Sequence, residues 1–251
     1  MVSGDNRVAS ASAVETGGLL LAREESAIPQ ALVSSGLATI FRGKFCEAIL
    51  RNRKATTFRK NEILYDVGDK DGRFFFLQSG FVKLGTVTRD GHEITYDVRK
   101  SGDVVGELCA YELTRPDRAV ALEQTDAVPV PFLEVMEVLR HQPQLLVQLI
   151  DVFCRALNEA YVQIVALAID DTLHRLAKVL LKLATSIGKQ SGLWAEIPTY
   201  LTQEEIAQMV AARRERVSTG LNFLRRQGLI QYSNHGHLML QVKGLADYSS
   251  R

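Results

Sequence analysis

Three arginines and a glutamate stand together at Arg213-Arg214-Glu215-Arg216, and Ser218 and Thr219 follow at once. A guanidinium presents two parallel N–H groups that match O6 and N7 of guanine, and a carboxylate accepts from N4 of cytosine. Such side chains read base edges when a helix carries them into a major groove. Thr202 and Gln203, a short way upstream, are of the kind that meets phosphates. The elements that would position these groups are legible around them. Thr202-Gln203-Glu204-Glu205 is a capping box, in which the Thr hydroxyl caps the free amides and Glu205 reaches back. A short helix then has Ile206, Met209 and Val210 as its apolar side. Ala211-Ala212 are small enough for a tight turn between crossing helices. A second helix is expected from near Arg213 to Gln227, with Val217, Leu221 and Leu224 facing inward and Gly228 at the position after its end. Two strand-like runs, LIQYS and HLMLQV, flank Asn234-His235-Gly236. Short helix, tight turn, longer helix and hairpin together spell a winged helix-turn-helix. A charged helical hairpin unrelated to DNA would share the charges but not the joint pattern. The expected DNA contacts are Thr202, Gln203, Arg213, Arg214, Glu215, Ser218 and Thr219.

Net charge over the 251 residues is only +1, so no overall basic balance points to nucleic acid. The basic charge is local: from Thr199 to Arg251 seven basic residues face four acidic ones, the footprint of phosphate binding. At 46% apolar and 24% charged the chain has material for two domains with cores of their own. Cys46, Cys109 and Cys154 are scattered and form no metal-ligand spacing, which speaks for a reduced, cytoplasmic protein and against an iron–sulfur cluster. His92, Cys109 and Cys154 are conceivable axial ligands to haem, though each residue type is more often ordinary surface or core. His235 and His237 are too few for a structural zinc site. No apolar run reads as long enough to cross a bilayer, and no secretory leader is evident. No G-x-S-x-G, P-loop, H-E-x-x-H or Rossmann fingerprint occurs, so no enzyme is expected.

The expected fold class is α+β. Residues 1–27 read as a mobile extension, and 28–142 as a β-roll sensor domain that opens on a short helical stretch over 28–52. From Thr57 short β-rich runs alternate with glycine-bearing turns, and Asp90-Gly91 signals a hairpin. A short helix is expected over 132–140. Pro143 fits the first turn of a long helix running to about Ile169. On it Leu146, Ile150, Phe153, Leu157, Ala160, Ile164 and Leu167 alternate in steps of four and three, an unbroken heptad seam. Such a helix pairs with a copy of itself, so 143–170 is expected to make a homodimer. Asp171 reads as an N-cap for a further helix over 172–187, opening a DNA-binding domain over 171–251. Residues 188–192 read as a polar loop.

The run LAIDDTLHRLAKVLLKLA, followed by LTQEEIAQMVAARRERVSTGLNFLRRQGLI, resembles the hinge and DNA-binding domain of the CRP/FNR (catabolite activator) family, and the resemblance extends back to about Thr57. It implies a homodimeric transcription regulator on a two-fold symmetric operator in double-stranded DNA, with RNA polymerase as a further partner and no membrane. The residues carried over to base reading are Arg214, Glu215, Ser218 and Thr219. The chain departs from the family pattern at Thr219, where Arg is frequent, and at Arg213, where Ser is common. The run SGDVVGELCAYELTRPDRAV is similar to the phosphate cassette of cyclic-nucleotide-binding domains. That similarity implies Gly106, Glu107, Leu108, Arg118 and Ala119 as ligand contacts, with Tyr161 of the long helix stacking on a base. Arg115 competes with Arg118 for the phosphate, and Glu112 and Asp117 oppose an anion if they turn inward. A cyclic nucleotide or dinucleotide, haem or another effector, and a roll with no ligand all stay open.

Overall fold

The computed structural model describes residues 37–41, 43–109 and 114–250. The extension over 1–27, the first part of the stretch over 28–52, and Glu112 lie outside these residues.

Among the described residues eight strands form the roll: β1 (Thr56–Phe58), β2 (Ile63–Tyr65), β3 (Arg73–Leu77), β4 (Phe81–Val87), β5 (Glu93–Lys100), β6 (Val104–Val105), β7 (Arg118–Ala121) and β8 (Thr125–Pro131). They make two antiparallel sheets, ordered β1-β8-β3-β6 and β2-β7-β4-β5. The unbroken Phe74-Phe75-Phe76 run on β3 follows from having both faces covered, since successive side chains point to opposite sides of a strand. Phe75 joins Tyr65, Leu84 and Ala119 in the roll interior. Phe74 and Phe76 face the helices α1 (Leu37–Ile40), α2 (Gly43–Leu50) and α3 (Phe132–Arg140). Within the described part of the helical stretch expected over 28–52 stand the two helices α1 and α2, and Gly43, which opens α2, has a φ of +56° that no continuous helix allows. Asp90-Gly91 closes the β4–β5 hairpin, with Gly91 at φ +80° and Thr88 N–H donating to the His92 carbonyl at 2.9 Å.

The long helix, α4 (Pro143–Ile169), has its proline in the first turn and spans roughly 40 Å at 1.5 Å per residue. None of its residues is buried. Ile150, Leu157, Ile164 and Leu167 stand more than half exposed along the heptad seam. Asp151 and Arg155, ion-paired at 2.8 Å, mark the opposite face. By length and composition alone α4 could cross a membrane, contrary to the sequence expectation. Its charges gather on the face of Asp151 and Arg155, which makes α4 amphipathic.

Asp171 caps the next helix, α5 (Thr172–Ser186), by accepting from the amides of Leu173 and His174. Residues 188–192 are not a plain loop. They belong to a hairpin of β9 (Lys189–Ser191) and β10 (Trp194–Glu196), which extends the wing strands β11 (Ile230–Tyr232) and β12 (Leu238–Gln241) into one sheet ordered β11-β12-β10-β9. The helix-turn-helix is α6 (Gln203–Val210) and α7 (Arg214–Arg226), and the described chain closes with α8 (Val242–Ser249). Leu176, Leu180, Val217 and Leu224 centre this domain's core, and Val98 and Leu122 of the roll belong to the same cluster. Gln208 of α6 adds a polar tie: its carbonyl accepts from Thr95 at 3.2 Å and its amide donates to Glu93 at 3.2 Å.

Candidate nucleic-acid interface and ligand cradle

The capping box forms as the sequence predicts. Thr202 Oγ1 accepts from the Glu205 amide at 3.1 Å, and Glu205 Oε2 accepts from the Thr202 amide at 2.7 Å. The turn between α6 and α7 runs through Ala211, held at φ +53°. Arg213 takes the N-cap position of α7, and Arg214 and Glu215 open its first turn. All three side chains are exposed, as is Thr219, while Ser218 is half-buried. Thr219 turns its hydroxyl back to the Glu215 carbonyl at 2.9 Å. Val217 and Leu224, at most 0% exposed, anchor the opposite face of α7. The helix is therefore held by its apolar side, and its exposed N-terminal turn, Arg213 to Arg216, lines an open cleft whose other wall includes His92, Glu93 and Ile94 of the roll.

A feature that sequence reasoning missed lies beside it. A cleft of about 390 Å³ is lined by Tyr200, Gln203, Asn222, Arg225 and Tyr232, with Gly236 of the wing at its edge. It holds hydroxyls, amides and a guanidinium but no carboxylate. Lys60 of the roll stands 5.7 Å from the Tyr200 ring. The exposed aromatics Tyr200 and Tyr232 were the signal that could have revealed it.

In the roll, the Gly106 turn is brought against an arginine, and that arginine is Arg115. Its Nη1 donates to the Gly106 carbonyl at 2.6 Å and its Nη2 to the Arg73 carbonyl. Arg118 lies elsewhere. On β7, Ala119 and Ala121 point into the roll, so Arg118 points out. There it forms a two-pronged pair with Asp66 at 2.7 and 2.9 Å and meets Glu93 at 3.2 Å. Two carboxylates turn inward instead. Asp117 accepts from the Tyr65 hydroxyl at 3.1 Å, and Glu107 meets Arg99 at 3.5 Å. Burial pushes both carboxyls above the usual range. Ala119 is fully buried, Leu108 is 41% exposed and Tyr161 is 57% exposed on α4. The residues present do not fit a cyclic phosphate: the expected Arg118 is on the wrong face, and the interior offers carboxylates. The conceivable haem ligands stay on separate elements, with His92 in the β4–β5 turn, Cys109 in the core under α1–α3 and Cys154 on α4. Among the described residues no cluster suits a metal ion.

Residues 55–142 match the cyclic nucleotide-binding domain and residues 174–248 the Crp-like helix-turn-helix domain. The two matches fall on the roll and on the winged helix, in the order described above. The chain belongs to the CRP/FNR family of transcription regulators. Among relatives of this CRP/FNR regulator, the CRP-like cAMP-activated global transcriptional regulator of Mycobacterium tuberculosis is 29% identical over 200 residues, covering 79% of this chain and 89% of that protein. A CRP/FNR transcriptional regulator from Thermus thermophilus superposes with a TM-score of 0.61 at 25% identity, over 79% of this chain and 99% of that one. A CooA mutant from Carboxydothermus hydrogenoformans shares the fold with a TM-score of 0.68 at 20% identity, over 86% of this chain and all of that one. As a CRP/FNR regulator the chain is a DNA-binding protein with a β-roll of the cyclic-nucleotide-binding type.

Proposed function

We propose that this regulator acts in the cytoplasm as a homodimer, paired along the seam of α4, and reads a two-fold symmetric operator with the first turn of α7. One observation carries the proposal: Arg214 and Glu215 are exposed at the start of a helix whose other face is anchored in a core. Arg214 pairs with a guanine and Glu215 with a cytosine amine. Arg213, Ser218 and Thr219 flank them, and Thr202 and Gln203 meet the sugar-phosphate backbone. Two such helices must meet half-sites about 34 Å apart, and pairing along α4 would relate them by the two-fold axis that a symmetric operator requires. RNA polymerase is the partner the bound dimer engages. The relatives from Mycobacterium tuberculosis and Thermus thermophilus are transcription regulators, and this chain is read as a regulator without catalytic activity.

The test is selection of an operator from a random duplex pool, followed by anisotropy titration of operator and scrambled duplex. Arg214→Ala is expected to cost about 1–3 kcal/mol on the operator and to leave scrambled DNA nearly untouched. An unchanged preference removes Arg214 from base reading. Failure to enrich any sequence sinks the regulator reading itself.

A further inference from the structure

Arg115 is the bulkiest side chain among the fully buried described residues, at 1% exposure. A guanidinium taken out of water is costly unless its donors are met. Here Nη1 and Nη2 are met by the roll's own backbone, the carbonyl of Gly106 on one side and that of Arg73, on β3, on the other, while Nε has no hydrogen-bond partner among the described residues. The guanidinium also lies 4.0 Å from the Tyr65 ring centre, with Asp71 at 3.9 Å. Its main chain is fixed as well, since the Arg115 amide donates to Asp69 and its carbonyl accepts from Gly68.

Gly106 leaves the room that this contact uses. It holds φ +95°, and a Cβ added there would stand 2.7 Å from Arg115 Nη1 and 2.8 Å from the Arg73 carbonyl. The backbone conformation and the Arg73 carbonyl already call for glycine at this turn, and the Arg115 guanidinium fills the space beside it. A phosphate arriving at this turn would have to pull Arg115 from two carbonyls and sit beside the inward carboxylates of Asp117 and Glu107.

We propose that the β-roll of this regulator is occupied by its own Arg115, whose guanidinium ties the Gly106 turn to β3 where relatives of this fold class take a cyclic phosphate, and that the protein binds DNA with no nucleotide bound. Only the DNA clause rests on the regulator reading. The roll is then a scaffold for α4 and the winged domain rather than a nucleotide sensor.

The experiment is calorimetric titration of the purified full chain with cAMP, cGMP and cyclic di-GMP, with operator binding measured in nucleotide-free buffer. No saturable heat up to millimolar ligand is expected, and added nucleotide should leave operator affinity unchanged. Saturable binding of any of the three overturns the proposal. A second arm follows thermal melting of Arg115→Ala. Methylguanidinium at low millimolar concentration should raise the Tm of the variant while leaving the wild type unmoved; no rescue, or equal shifts in both, removes Arg115 from the occupant role. Should Arg115→Ala give no folded protein, Gly106→Ala is melted instead, and a wild-type Tm there overturns the proposal. If the wild type binds no duplex at all, the regulator reading fails while the calorimetry still decides the state of the roll.

Discussion

Ala211 carries the turn of the helix-turn-helix in the left-handed region, at φ +53°, where a Cβ crowds the neighbouring carbonyl. Glycine relieves that contact at some cost in unfolded-chain entropy. Ala211→Gly should therefore stabilise the protein by about 0.5–1 kcal/mol, seen as a rise in urea midpoint at unchanged slope. A fall in midpoint would mean that the methyl makes a contact worth more than its strain. Asp117 gives a pH-dependent counterpart. Burial first of all raises its carboxyl, against the lowering by the Tyr65 hydroxyl and Arg115. A raised folded-state value means that the folded protein holds a proton which the unfolded chain has already released. The stability linked to Asp117 is thus present below the ordinary carboxylate value and declines as pH rises through the raised one. Asp117→Asn removes this decline, so the stability difference between variant and wild type should move in favour of the variant across that window. Parallel pH profiles for the two proteins would deny the effect.

The seam of α4 is the element whose behaviour separates a dimer from a monomer. Leu157, 52% exposed in the single chain, sits mid-seam among Phe153, Ala160 and Ile164. A charge there faces its own symmetry mate in a parallel pair, as adverse a placement as a seam offers. Leu157→Glu should sediment as a monomer with near-unchanged far-ultraviolet dichroism and lose operator affinity roughly a hundred-fold or more, as the second half-site contact ceases to be intramolecular. A variant that stays dimeric would place the dimer contact elsewhere. This helix was readable from sequence because Pro143, the seven-position seam and the Asp171 cap all gave the same boundaries. The β9–β10 hairpin was not readable. Lys189–Ser191 is polar and exposed on both faces, so it has no alternation to detect and is a strand only because β10 runs beside it. Helix α8 was hidden in the same way: it contains Gly244 and is fixed by Leu245 in the core and by Tyr248 stacked on His174 at 5.3 Å.

At the scale of the whole molecule, the roll and the winged domain are not beads on a string. Val98 and Leu122 enter the winged domain's core, Lys182 donates to the Tyr96 carbonyl at 3.2 Å, and Thr199 donates to Glu123 at 3.1 Å. The hinge itself is braced, with Lys178 on the Asp170 carboxylate at 2.6 Å and Arg175 on its carbonyl at 2.9 Å. Recognition helices held by so many ties cannot follow an operator whose halves are turned apart. Inserting about five base pairs, half a helical turn, between the half-sites should reduce affinity to that of scrambled DNA, and a full-turn insertion should restore little of it because the reach is fixed. Tolerance of both insertions in anisotropy titrations would show that the winged domains swing freely.

The sequence by itself determined the α+β class, the winged helix-turn-helix with its capping box and Arg-Glu pair, and the length and seam of α4. Each depends on local periodicity or on contacts a few residues apart, which neighbours along the chain encode directly. Which arginine meets the Gly106 turn was decided only by tertiary structure. Arg115 and Arg118 are equally basic and lie only three residues apart. Strand β7 pairs with β4 so that Arg118 lies opposite Gly85 and Ala119 opposite Leu84, and successive residues of a strand face opposite ways. A shift of one position would have put Arg118 inside the roll, and nothing local to TRPDRAV sets that phase.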